Sequence, residues 1–250
     1  GGPMHYLEKG LGSKFLGVSF AVLASGAAIG TGNLVQANSV AISMSDVFNV
    51  SPVITGSVLT LLVGIALLGG IKSIGKIASF LVPAMSIFYI ITGLIIVGAH
   101  IEAVPGAFAM IVTAAFKGQS AVGGFVGAGI MTAISLGFSR GIFSSEAGLG
   151  SSPIAAAAAK TDTPGRQALI SMSSVFLTTG IVCTITGLAI AVTGMLGETG
   201  PSGQVLNGLS LVLRAFDKVI PFGGLLVTIA LIPFAFSTIL GWAYYGESCS

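Results

Sequence analysis

The sequence predicts an all-α integral membrane protein, a polytopic bundle. Three observations carry this. Only 7% of the 250 residues are charged, against about 25% in an average soluble chain. Six charge-free runs, Phe15–Ser45, Val47–Ile71, Ile77–Ile101, Gly118–Ser139, Gln167–Gly197 and Val219–Gly246, each reach the roughly 20 residues that cross about 30 Å of hydrocarbon. And one stretch, Gly137 to Pro153, breaks this apolar monotony with an arginine, a glutamate, four glycines and five serines. Helices satisfy their own backbone groups, so apolar runs of this length are expected to span lipid as helices.

The polar start, Gly1 to Lys14, opens on the turn signal Gly-Gly-Pro. The first span begins near Phe15 and continues to about Phe48. Its first half is rich in small residues (Gly17, Ala21, Ala24, Ala28) that let helices approach closely in lipid. Its second half carries Thr31, Asn33, Gln36, Asn38 and Ser39, and amides within hydrocarbon must face protein or a cavity. For Gln36 two readings stand, a hydrogen bond between helices and a contact to a bound substrate.

The second span is Pro52 to Leu68, ended by Gly69-Gly70. The third is roughly Ile77 to Val97, with Pro83 near its start, where a missing N–H is tolerated. Residues 103–116 are too short to span and read as an interfacial helix with Phe108, Met110 and Phe116 on its apolar side. Gly118 to Gly137 is the fourth span, Gln167 to Leu196 the Thr-rich fifth, and Gly223 to Tyr245 the sixth. Between the last two, residues 209–218 read as a short surface helix whose Arg214, Asp217 and Lys218 face water. Lys9, Lys14, Lys72, Lys76, Lys160 and Arg166 fall on one side of the bundle and Lys117, Arg214 and Lys218 on the other, which predicts a cytoplasmic N-terminal edge. The whole, residues 1–250, reads as one multi-pass domain and as an internal piece of a longer protein of the cell (plasma) membrane.

The interrupting stretch predicts a broken helix around residues 137–150. Arg140 and Glu146 are six residues apart, about 600° of rotation on a continuous helix, so they meet only if the helix unwinds between them. Gly141 and Gly148 make unwinding inexpensive, and an unwound turn exposes N–H and C=O groups to a ligand. Ser144 and Ser145 are candidate N-caps of the second half-helix. The other reading places Arg140 and Glu146 in a boundary loop. A second constellation is Ser237-Thr238 with Trp242 one turn on. The hydroxyls read either as oxygen ligands for a monovalent cation or as ordinary bonds to the preceding turn. Trp242 reads either as a pocket wall or as an interfacial belt residue.

Other chemistry is excluded by composition. His5 and His100 sit at edges, so no nucleophilic triad assembles, and an enzyme is not expected. Cys183 and Cys249 have no metal-like spacing and form no disulfide framework. A net charge of +2 gives no case for nucleic acid.

Four stretches, GGPMHYLEKGLG at the start, GTGNLVQANSVA (Gly30–Ala41), SRGIFSSEAGLGSSPIAAAAA (Ser139–Ala159) and FAFSTILGWAYYGESC (Phe234–Cys249), resemble the sodium:alanine (amino-acid:cation) symporter family. The resemblance implies a leucine-transporter-type inverted-repeat bundle with broken helices at the midplane. This chain would supply about core helices three to eight and lack the broken first helix. It implies sodium-coupled symport of a small neutral amino acid, alanine or glycine. Its carry-over puts Ser237 and Thr238 at sodium, Gln36, Thr238 and Trp242 at the substrate, and Phe138, Gly141 and Phe143 in the unwound wall. Arg140 and Glu146 become a gate or structural ion pair. A non-transporting scaffold or receptor, and a proton-coupled carrier of the same fold, are the alternatives. Two departures from the family pattern are visible. Ser145 stands where members usually carry Asn, and Thr178 where they carry Asp, which removes a buried carboxylate. Oligomeric state is not legible.

Overall fold

The computed structural model describes residues 1–116, 141, 144–200, 203 and 205–250, the side chains of 114–116 excepted. These residues are helical almost throughout; a single bridge, Thr199 to Val205, is their strand-type pairing. Among the described residues, four helices are long and apolar enough to cross a membrane: Lys14–Phe48, Gly70–Ala99, Pro164–Thr193 and Gly223–Cys249. Pro52–Leu68 is apolar and slightly shorter. The chain is therefore an all-α, multi-pass membrane bundle. The span expected at residues 118–137 lies outside the described residues.

Local chemistry sets the helix ends. Pro3 opens the first helix, Pro3–Leu11, at a position whose N–H has no helical partner. Ser13 caps the next, its hydroxyl accepting from the Leu16 N–H at 3.4 Å. That helix runs to Phe48 and stops where Asn49 turns left-handed, φ 54°. Pro52 then restarts the chain. Within Lys14–Phe48 the backbone widens into a π-helical segment, Ala28–Leu34, and a second such segment, Phe176–Cys183, lies in Pro164–Thr193.

The third span begins earlier than expected. Helix Gly70–Ala99 runs straight through Lys72 and Lys76, so Pro83 is inside the helix rather than in its first turn. Charges mark where lipid ends, whereas a helix stops only where its backbone is broken. Val104–Phe116 forms the expected short helix, with Phe108 and Met110 exposed.

Two compact units are distinguished by contact. The first comprises Gly1–Ile87, Gly150–Ser174 and Thr228–Ser250. Helix Gly223–Cys249 is its spine, because three core clusters are built on it: Cys249 with Met4 and Ile154, Ala235 with Val40 and Leu59, and Leu240 with Ala66 and Ile74. Phe15, Leu68 and Phe80 are exposed.

The second unit comprises Phe88–Leu149 and Val175–Val227. Phe216 is fully buried there and stacks on Tyr89 with ring centroids 6.1 Å apart. The Tyr89 hydroxyl pairs with that of Thr186 at 2.7 Å. The expected surface helix is Gly208–Val219, and the roles of its charges differ from the expectation. Lys218 Nζ donates to the Thr193 carbonyl at 2.8 Å, at the C-terminal end of a helix. Asp217 accepts from the Gly224 N–H at 2.7 Å, at the N-terminal end of the next. Both charges complement helix dipoles instead of simply facing water.

Candidate functional site

The site candidates in the first unit lie on two helices, Lys14–Phe48 and Gly223–Cys249. Four contacts give their register. Ala28 opposes Gly246, Gly32 opposes Trp242, Val40 shares a core with Ala235, and Ser43 bonds Thr228. One number rises as the other falls, so the helices run antiparallel. Gln36 lies midway between Gly32 and Val40, which puts it level with Thr238. Gln36, Thr238 and Trp242, far apart in sequence, thus share one zone of a single helix pair.

The closeness of that pair is a property of small residues. A Cβ added to Gly32 would fall 2.6 Å from Trp242 Cβ and as close to two further indole carbons, so only glycine admits the ring. One turn away, a Cβ on Gly246 would meet Ala28 Cβ at 3.3 Å. Trp242 is 8% exposed and meets Tyr245 edge to face with centroids 5.5 Å apart. It is an interior residue, not one of an interfacial belt.

The hydroxyl pair turns back on its own helix. Thr238 Oγ1 donates to the Phe234 carbonyl at 2.8 Å and Ser237 Oγ donates to the same carbonyl at 3.0 Å. Ser237 Oγ also lies 4.0 Å from the Met85 sulfur. This is the back-bonding reading of the sequence. It commits the hydroxyl protons and leaves oxygen lone pairs free, the part of a hydroxyl that binds a hard cation. Among the described residues, no three His, Cys, Asp or Glu side chains cluster as ligands for a metal.

At the opposite end of the pair, Ser43 and Thr228 are fully buried and their hydroxyls are 2.6 Å apart. Asn33 is different. Its Oδ1 is buried and has no hydrogen-bond partner among the described residues. It sits in the π-helical segment next to Gly32, the glycine that meets the indole, and three residues before Gln36. The sequence signal for this corner was present in Gly30-Thr-Gly-Asn33, but nothing in it showed that Gly32 receives an indole.

The interrupting stretch is described in part. Phe138, Arg140 and Phe143 lie outside the described residues. Gly141 is exposed, and its carbonyl accepts from the Ser144 N–H at 3.2 Å and from Ser144 Oγ at 2.8 Å. Ser144 therefore closes a turn backward and does not act as the expected cap of the following helix. Its hydroxyl also meets Thr179 Oγ1 at 3.1 Å. Glu146 opens a helix of only four residues, Glu146–Leu149. Gly150 follows with φ +74°, a value that disfavours any side chain, and helix Ser152–Ala158 starts beyond it. Thr178 Oγ1 donates to the Val175 carbonyl at 3.3 Å.

Comparison with known proteins identifies the family. The profile of the Sodium:alanine symporter family matches residues 1–250. The Sodium/alanine symporter AgcS of Methanococcus maripaludis is 51% identical over 253 residues, covering 100% of this chain and 54% of that protein. The Putative sodium/proton-dependent alanine carrier protein YrbD of Bacillus subtilis is 39% identical, covering 99% of this chain and 52% of that protein. The Probable sodium/glutamine symporter GlnT of the same organism is 35% identical, covering 99% and 50%. The chain spans about half the length of the curated relatives it matches. The family is one of transporters, not enzymes. With a match that runs through every one of its residues, the chain belongs to the sodium:alanine symporter family.

Proposed function

We propose that the full-length protein is a sodium-coupled symporter of a small neutral amino acid, alanine or glycine, working by alternating access in the cell membrane. The observation that carries this reading is the antiparallel pair that brings Gln36, Thr238 and Trp242 to one zone, in a chain built to span lipid. The fold is read as a leucine-transporter-type inverted repeat in which this chain forms about core helices three to eight.

On this reading the Gln36 amide offers both donors and acceptors to the zwitterionic substrate. Trp242 walls the side-chain pocket and limits its size. Ser237 and Thr238 lend hydroxyl oxygens to sodium, the remaining ligands coming from helices outside this chain. Phe138, Gly141 and Phe143 line the unwound stretch, and Arg140 with Glu146 anchors or gates its cytoplasmic half. Sodium favours the conformation that accepts substrate, and by reciprocity substrate tightens sodium. The name of the Bacillus subtilis carrier YrbD, sodium/proton-dependent, supports proton coupling as a second reading.

The test is uptake of labelled alanine by the full-length protein in proteoliposomes. An inward sodium gradient should drive accumulation, and Trp242→Ala should admit larger side chains such as glutamine. Uptake driven by a proton gradient alone would select the second reading. Binding of alanine with no uptake under either gradient would leave a receptor or scaffold and refute transport.

A further inference from the structure

We propose that Asn33 is a further specificity-determining residue of this site, its buried Oδ1 accepting a hydrogen bond from the ammonium group of the transported amino acid. The inference deepens the transport reading and rests on it. A side-chain carbonyl oxygen buried without a donor is costly, because it has given up water and gained nothing. Asn33 Oδ1 is such an oxygen, whereas Thr31, Ser39 and Ser43 on the same helix all have hydrogen-bond partners.

The position of Asn33 says what kind of donor is missing. Gly32, its neighbour, is pressed against the Trp242 indole, and Gln36 follows three residues on, level with Thr238. The orphan acceptor therefore borders the zone assigned to substrate. It lies in a π-helical turn, a deformation common at functional sites because it re-aims side chains. A neutral amide acceptor suits an ammonium N–H that is already compensated by the substrate's own carboxylate. A buried carboxylate at that place would instead add net charge within the membrane.

The experiment compares alanine with its N,N,N-trimethyl betaine, which has the same side chain, carboxylate and charge but no ammonium N–H donor. Both are measured as competitors of labelled alanine uptake by full-length protein. In wild type, alanine should compete better. Asn33→Leu, similar in size but without an acceptor, should raise the KM for alanine on the order of tenfold while barely moving the inhibition constant of the trimethyl betaine, so their ratio collapses. Asn33→Gln, which keeps a neutral amide oxygen, should retain more of the wild-type ratio than Asn33→Leu does. An equal loss for both competitors would mean that Asn33 serves packing or meets a donor elsewhere in the full-length chain, and would overturn the inference. So would a KM within twofold of wild type. If Asn33→Leu does not fold, Asn33→Ala takes its place, and an unchanged ratio there overturns the inference as well. Failure of the transport reading is separable: it shows as wild-type protein that takes up no alanine.

Discussion

Replacing Gly32 by alanine probes the contact on which the candidate site is built. A carbon–carbon contact is comfortable at about 3.5–4.0 Å, and the new Cβ would stand 2.6 Å from Trp242 Cβ. The indole or the helix must therefore move by about 1 Å. Overpacking of this kind costs about 1–3 kcal/mol, and up to about 1 kcal/mol returns because alanine is the better helix former. The expected net loss is about 1–2 kcal/mol, roughly a 5- to 30-fold change in the folded-to-unfolded ratio. The assay is chemical unfolding of the purified full-length protein, run as a cycle with Trp242→Ala. That second change alone should cost about 3–5 kcal/mol, since the indole is 8% exposed. With the ring gone the Gly32→Ala methyl enters vacated space, so the double variant should be no worse than Trp242→Ala alone. Additive losses, within about 0.5 kcal/mol, would refute the close approach of the two helices.

Thr238→Val keeps shape but removes the hydroxyl. The half-saturating sodium concentration should rise on the order of tenfold, with alanine KM following through linkage. An unchanged sodium dependence of uptake excludes Thr238 as a ligand. At the other end of the pair, Ser43→Ala and Thr228→Val remove the two sides of a fully buried 2.6 Å hydrogen bond. Interhelical hydrogen bonds in membranes average about 0.6 kcal/mol and reach about 1.7, so a coupling of about 1–1.5 kcal/mol is expected from unfolding measurements. Zero coupling would contradict the register. Lys218→Met removes the donor to the Thr193 carbonyl. It should cost about 0.3–1 kcal/mol and speed hydrogen exchange at the end of helix Thr184–Thr193; unaltered protection there would count against the cap.

The span pattern was legible because lipid imposes one rule, namely some 20 apolar residues folded as a helix. Lys14–Phe48, Pro52–Leu68, Gly70–Ala99, Pro164–Thr193 and Gly223–Cys249 all begin or end within a few residues of the expected places, with Gly70 the largest departure. That departure has a reason, since Lys72 and Lys76 end the apolar run but not the helix. The fates of Lys218 and Asp217 were not legible either. Sequence shows a charge, but only the fold shows a helix end 2.8 Å from it.

By itself the sequence determined the class of protein, the approximate spans and the family. These depend on composition, on runs of neighbouring residues and on long motifs, all local in the chain. It also narrowed the polar candidates, because an amide or a paired hydroxyl in hydrocarbon must have a use. Only the tertiary structure decided which candidates meet. Gln36 and Thr238 are separated by most of the chain, and the antiparallel register that sets them level is fixed by contacts at Gly32, Val40 and Ser43. It also decided that Trp242 is interior and that Asn33 Oδ1 has no partner among the described residues. Burial and hydrogen-bond satisfaction are relations between segments, and a linear pattern carries no measure of the distance between them.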